Sequence, residues 1–499
     1  MQSIRRPDDP APPLGFRKED FRQICPNGFG DGLNSYAHTM AWFQGRIFVG
    51  TTRANLCMVK LFRDRNYPHL GADWPVRCPE DIYSLDRCAQ IWAYDPESRE
   101  WERVFRAPMV PGLRGRDVAR DMGYRGMTVF QGASDAEPAL YVATSSPGEG
   151  HGPLILRSAD GHRFEPVSEY GILGLPITTV RTLTSFKGWL FTAPTGTRGG
   201  NVNAAQHVQV FASRDPARGG WMPVSPSGFG DSGNVTIFEL EGFGDHLYAG
   251  TLNHSGFQIW RTRAEGEPPF EWEPVLREGA FRGPLNQAVA SLHVFRDALY
   301  VGTGIQGGGY DSGNAIGPAP AELLRIRKDG GWDLIVGTAR NTPDGFKAPL
   351  SAYPAGFGSF FNGYFWRMGD HDGWLYLGTY HSATLLPWLD LSGAPPQVRT
   401  FLDRIGIDRI VSEEAGFDLW RSADGENWMP VSRRGFENRY NFGVRTLIST
   451  PRGLFLGTAN PFGPEVAQPG REGWDFVPNP RGGLEVWFAE HQMPPIASD

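Results

Sequence analysis

The chain has 499 residues and a formal net charge of −7, from 48 basic and 55 acidic side chains. The absence of a basic run or excess argues against a duplex nucleic-acid partner, and no apolar stretch approaches the ~20 residues of a membrane helix. Sixty-four glycines and 41 prolines punctuate short segments that 16 tryptophans and 32 phenylalanines fill, a composition of many short strands and tight turns rather than of disorder.

The start, MQSIRRPDDPAPPLGF, has two arginines but no apolar core of a secretory signal. Phe21–Cys25 reads as a strand followed by PNGFGDGLN at 26–34, a phrase that returns as PSGFGDSGN at 226–234. One hairpin then recurs along the chain: an apolar strand, a small turn, and a strand ending in Gly-Thr or a close variant. It appears as TMAWFQGRIFVGT, RTLTSFKGWLFTAP, FELEGFGDHLYAGT, ASLHVFRDALYVGT, WRMGDHDGWLYLGT and RTLISTPRGLFLGT. A further copy, RGMTVFQGASDAEPALYVAT, has a longer turn. In six copies the spacing is rigid, as in His38 to Phe48 or Arg445 to Phe455. Alternating apolar residues on both arms predict β-hairpins.

A second strand pair follows each hairpin, most clearly in DLWRSADGENWMPV, and resembles the Asp-box and kelch-type turns. Four strands per unit, repeated seven times, predict an all-β, seven-bladed β-propeller. The predicted units cover about 36–107, 121–169, 178–225, 234–276, 287–337, 362–432 and 441–490. The last unit ends on a third strand, LEVWFAE. Residues 21–25 precede the same phrase as the fourth strand of the third unit, so they are expected to complete the last unit and close the ring.

The loops between second and third strands are long, at 52–89, 304–321, 380–416 and 459–482, and mark one face as the working face. The 380–416 insertion carries a predicted helix, PQVRTFLDRIG, and is expected to act as a lid, or else to pack only on its neighbours. The glycine-rich 304–321 loop is expected to bring backbone close to a ligand; it matches no phosphate-binding fingerprint. The four cysteines (Cys25, Cys57, Cys78, Cys88) form no CxxC pair. They read as thiols of a reducing cytoplasm, with a Cys78–Cys88 disulfide as the alternative.

The first residues of the rigid intervals begin the inner strands: His38, Arg181, Phe238, Ala290, Trp366 and Arg445, with Arg125 in the equivalent place of the longer copy. Two guanidiniums ~8 Å apart repel by about 2 kcal/mol at an effective dielectric near 20. Either an anion (carboxylate, phosphate, phenolate or halide) sits among them, or each pairs with an acid such as Asp121 or Glu239 or caps backbone carbonyls between units. Phe238 and Trp366 are expected to form an apolar wall. Tyr36, Tyr124, Tyr364 and Tyr440 precede ring positions, and Tyr380 and His381 follow the sixth Gly-Thr. The candidate catalytic residues are His38, Tyr380 and Tyr440. The candidate substrate-binding residues are Arg125, Arg181, Arg445, Trp366, Phe238, Tyr124, Tyr364 and His381. No cofactor or metal is expected: there is no HExxH or EF-hand pattern. Only His38 takes a ring position, unlike the four iron-binding histidines of carotenoid-cleaving dioxygenases. The nucleophile pair of a sialidase cannot be assigned.

From about Phe21 to Glu490, with GLFLGTANPFGPEV and NPRGGLEVWF in the last unit, the chain resembles a bacterial propeller family. Its architecture is also similar to the propeller of the cylindrocyclophane-forming aromatic alkylating enzymes. That resemblance implies joining a phenolic nucleophile to an alkyl halide at the propeller mouth, with arginine and tyrosine. The expected function is an enzyme acting on a small organic anion or phenol, by alkyl or group transfer. The alternative is a non-catalytic propeller that binds a peptide, glycan or protein on the same face.

Overall fold

The computed structural model describes residues 14–66, 73–197, 203–311, 313–391, 394 and 396–490. The reading of the first thirteen residues as lacking a signal core lies outside them. The fold is mostly β and propeller-like, built of successive antiparallel meanders. The inner strands are Asn34–Phe43, Gly123–Phe130, Ile177–Val180 continued by Thr184–Phe186, Asn234–Phe243, Ala288–Phe295, Asn362–His371 and Gly443–Thr450. We number the units they begin from 1 to 7. Each inner strand pairs with the next strand in the chain. In unit 7 the outermost strand comes from the other end of the chain. Phe21–Gln23 runs antiparallel to Val486–Ala489, with Phe21 opposite Ala489. The ladders do not join into one closed sheet; most of unit 3 is a separate four-stranded sheet.

The core lies between consecutive units, because both faces of each meander are apolar. Phe43, Phe48, Tyr124 and Leu140 share one buried cluster between units 1 and 2. Met40, Ile47, Phe455 and Phe488 share another between units 1 and 7. Full burial of a Phe side chain is worth about 1.5–3 kcal/mol. Gly-Thr has a double cause. A Cβ on Gly378 would lie 2.3 Å from the Val444 Cβ of the next inner strand, and one on Gly250 would lie 2.5 Å from that of Val289. The following threonine accepts the backbone N–H that opens the third strand, as Thr51 does from Gln90 and Thr379 from Asp418.

The phrase seen twice in the sequence recurs structurally. Asn34, Asn234, Asn286, Asn362 and Asn441 each donate to a glycine carbonyl in the preceding turn. Each also donates to the side chain that opens a third strand: Gln90, Gln258, Glu322, Asp418 or Glu485. These buried amides tie one unit's entry to its own third strand.

The long loops pack on one another. The helix Asn55–Asn66 belongs to the first loop. In that loop Val76 bridges to Val466 of the hairpin Glu465–Pro478. From the 380–416 insertion, Trp388 Nε1 donates to the Ala467 carbonyl at 3.3 Å. The insertion has the expected helix, Pro396–Ile405, and a second, Ile407–Glu414. Cys57 and Cys78 form a disulfide within the first loop, while Cys25 and Cys88 are free and buried. This corrects the reading of four thiols and the Cys78–Cys88 alternative. The loop folds back so that residue 78 meets the helix, whereas the Cys88 thiol contacts the Met109 sulfur. The ground for expecting a reducing cytoplasm goes with it. Among the described residues no helix is long and apolar enough to cross a membrane.

Candidate functional site

Every arginine, histidine or aromatic singled out at a ring position sits where the inner strand breaks register. Ala37 pairs with Thr51 and Thr39 with Gly50, leaving His38 as the extra residue. The same shift isolates Arg125, Phe238, Ala290, Trp366 and Arg445. In unit 3 the inner strand is interrupted at residues 181–183, and the Arg181 N–H donates to the Ala193 carbonyl. A bulge re-aims a side chain out of the pleat, which frees these seven from the two packed faces.

The ring residues then divide. Arg181 is satisfied: its Nε donates to the Phe238 carbonyl at 2.8 Å and its Nη1 to Asn203 Oδ1 at 3.2 Å. Its guanidinium lies 3.5 Å from the Phe238 ring centroid. Arg367, which sequence reasoning missed, pairs with Glu239 at 2.9 Å and donates from Nε to the Arg445 carbonyl. Arg445 lies over the Trp366 ring at 5.2 Å, but its Nε and Nη1 are buried without a partner, as is Arg125 Nε. His38 shares a 2.5 Å hydrogen bond between Nδ1 and the Thr52 hydroxyl, and its Nε2 is buried without a partner. The inner strand that carries His38 packs between those that carry Arg125 and Arg445.

Electrostatics follow this division. Burial, then repulsion from Arg367, Arg125 and Arg181, holds Arg445 well below the usual arginine range. Burial pushes Arg125 down to about 10 despite the nearby Glu239. Burial and the surrounding guanidiniums hold His38 far below the usual imidazole value, so it is neutral at pH 7. Glu239 acts on Arg125, Arg181 and Arg445, so the alternative of an acid partner is met in part. Its ion pair, however, is with Arg367. Asp121 pairs with Arg120 instead. Glu241 lies two residues beyond Glu239 on the same strand, and burial pushes it up to about 7. His293 attracts its charged form and itself bonds Asp370 at 2.9 Å.

Several expected neighbours are elsewhere. Phe238 and Trp366 each carry an arginine over the ring, Arg181 and Arg445 respectively. Tyr124 is one residue before its bulge, on the opposite side of the strand, and is fully buried in the cluster between units 1 and 2. Tyr36 and Tyr364 are two residues before theirs and do reach Trp366, at 6.2 and 5.9 Å between rings. Tyr380 packs edge-on against Trp366, and burial raises its hydroxyl far above the usual phenol value. Tyr440 packs on Phe462, and its hydroxyl accepts from Arg439. His381 lines a separate cavity of about 210 Å³ with Ser359, Asp418 and Arg433, and burial pushes it down to about 3. The glycine-rich loop brings its backbone onto tyrosines: the Gly308 N–H donates to the Tyr364 hydroxyl at 2.8 Å, and a Cβ on Gly308 would lie 2.5 Å from the Tyr380 hydroxyl oxygen.

No protein-family model matches the chain, and no curated protein matches it in sequence. Among solved structures, it is similar to the GH74 enzyme of Niastella koreensis at 12% identity and a TM-score of 0.39, covering 82% of this chain and 46% of that one. It is similar to a puromycin hydrolase at 10% identity and a TM-score of 0.43, covering 95% and 57%. A putative 6-phosphogluconolactonase of Bacteroides fragilis matches at 10% identity and a TM-score of 0.33, covering 83% and 96%. The chain thus spans about half the length of the first two. Likenesses this distant leave the functional reading to the geometry.

Proposed function

We propose that the seven units are the blades of a closed propeller and that its axis binds a small organic anion. Arg125 and Arg445 hold the anion, with neutral His38 between them. One observation carries this reading: buried guanidinium N–H groups on two strands lack acceptors while the residue between them also has a free nitrogen. Unpaired buried donors cost about 1–3 kcal/mol each, more when charged, and an anion removes that cost. Arg181 and Arg367 act as the fixed electropositive backing.

An enzyme is the finer proposal. Glu241, two residues beyond Glu239 on the same strand, is then the residue we assign to move a proton, since burial pushes it up to about 7, whereas burial and the arginines hold His38 neutral and Tyr380 and Tyr440 are packed on Trp366 and Phe462. The reaction class we attach to it is alkyl transfer from an alkyl halide to an oxygen of the bound anion, the halide departing with the bonding pair and Glu241 accepting any proton the attacking oxygen still carries. The test is calorimetric titration of the full chain with inorganic phosphate and with benzoate. Binding that disappears in R125Q/R445Q supports the reading, and binding unchanged in that double variant removes it. A second reading, docking of a peptide or protein on the same face, is favoured by one feature. Phe360, Leu389, Phe401 and Ile405 are exposed on and beside the 380–416 insertion, and the rings of Phe360 and Phe401 touch at 6.4 Å. Under that reading F401S abolishes partner binding and R445Q leaves it intact.

A further inference from the structure

The axial cluster carries information about the charge of what it binds. Arg125, Arg181, Arg367 and Arg445 act on one another electrostatically, and Glu239 is the carboxylate that acts on the three unpaired with it and bonds the fourth. His38 adds no charge, because burial and then the arginines suppress its protonation. Four cations against Glu239 leave an excess of three, or of two when Glu241 is ionised. A monoanion such as chloride or acetate would leave at least one buried charge unbalanced, and unpaired buried charges are the costly case. The unpartnered groups also arrive from separate strands: the donors Arg445 Nε and Nη1 from one, the donor Arg125 Nε from another, and His38 Nε2, a donor in the tautomer in which Nδ1 accepts from Thr52, from the strand between. Planar guanidinium edges suit an oxyanion with several acceptor oxygens. The Trp366 ring under Arg445 holds one of those edges in place.

Resting on the anion-site reading above, we infer that the ligand is an oxyanion carrying at least two negative charges, the chemistry shared by a phosphomonoester and a dicarboxylate, and not a halide or a monocarboxylate. A dianion accepts from all three strands at once and brings the cluster to within one charge of balance.

The experiment is calorimetry of the full wild-type chain at pH 7 and constant ionic strength with chloride, acetate, succinate and inorganic phosphate. The expected result is that succinate or phosphate binds at least about ten-fold more tightly than acetate or chloride, a difference of about 1.4 kcal/mol. Phosphate ahead of succinate assigns a phosphoester, and the reverse assigns a dicarboxylate. If acetate or chloride binds as tightly as both dianions, and R125Q/R445Q abolishes it, the charge inference falls while the anion site stands. If none of the four binds the wild-type chain, or all bind the double variant equally, the site itself falls and the inference with it. The wild-type comparison needs no variant, so misfolding of R445Q cannot shelter the inference.

Discussion

Arg181 and Arg445 occupy the same place in the repeat, each at the break in its inner strand, yet they live in opposite circumstances. Arg181 has a carbonyl, an amide oxygen and an aromatic face, and Arg367, whose Nε donates to the Arg445 carbonyl, has Glu239. Arg445 has the face of Trp366 but no acceptor for Nε or Nη1, and Arg125 Nε is equally bare. Equivalent backbone geometry has therefore produced one arc that is internally complete and one that is left open. Because a buried donor without a partner lowers stability, the open arc is where a ligand adds the most. The complete arc, anchored by Glu239, limits the repulsion that would otherwise spread four cations apart.

The comparison breaks most sharply at Glu239. E239Q removes the anionic partner of Arg367, and loss of one member of a largely buried pair costs about 3–5 kcal/mol; a large fall in melting temperature is expected by calorimetry. At the open arc the sign reverses. R445M deletes an uncompensated buried cation and keeps a side chain to cover Trp366, so the ligand-free protein is expected to gain about 1–3 kcal/mol while anion binding is lost. If R445M destabilises as R181M does, the two arcs do not differ.

Glu241 sharpens the axis through pH. Its folded value, about 7, lies above the ordinary 4.5, so the folded state holds more protons between those values. Stability is expected to fall as pH rises from 4.5 towards 7, and denaturant melts of E241Q should show a flatter profile over that window. Asp418, raised to about 6 by burial, adds a parallel slope that D418N removes. The smallest effect belongs to F238L, which keeps most of the buried area but removes the ring under Arg181. A loss of about 0.5–2 kcal/mol is expected, with anion affinity changed less than by R125Q.

The repeat was legible because its causes are local. Gly250 and Gly378 leave room for the neighbouring strand, Thr51 and Thr379 hold the third strand, and both appear at constant spacing whatever the surrounding sequence. The role of Phe21–Gln23 was legible for a related reason: the phrase after it marks the start of an inner strand, so the strand before it had to be an outer one. The ring residues could be named because a bulge displaces the same numbered position in each unit. The asparagine tie could have been found as well, from Gly-x₅-Asn at 356–362 and 435–441.

Partnership was not legible in the sequence. Whether a guanidinium is satisfied depends on residues from other units: the Phe238 carbonyl lies 57 positions from Arg181, Glu239 lies 128 from Arg367, and no pattern within one repeat links them. The same holds for the loop disulfide, where Cys57 meets Cys78 and not the nearer pairing, since the chain must first fold back on its own helix. The sequence by itself determined which residues sit at the breaks of the inner strands, because strand period, turn chemistry and bulge position are set by neighbours along the chain. Only the tertiary structure decided which of those residues are already occupied with one another, because charges and hydrogen bonds act through space between segments whose separation along the chain carries no information about their distance.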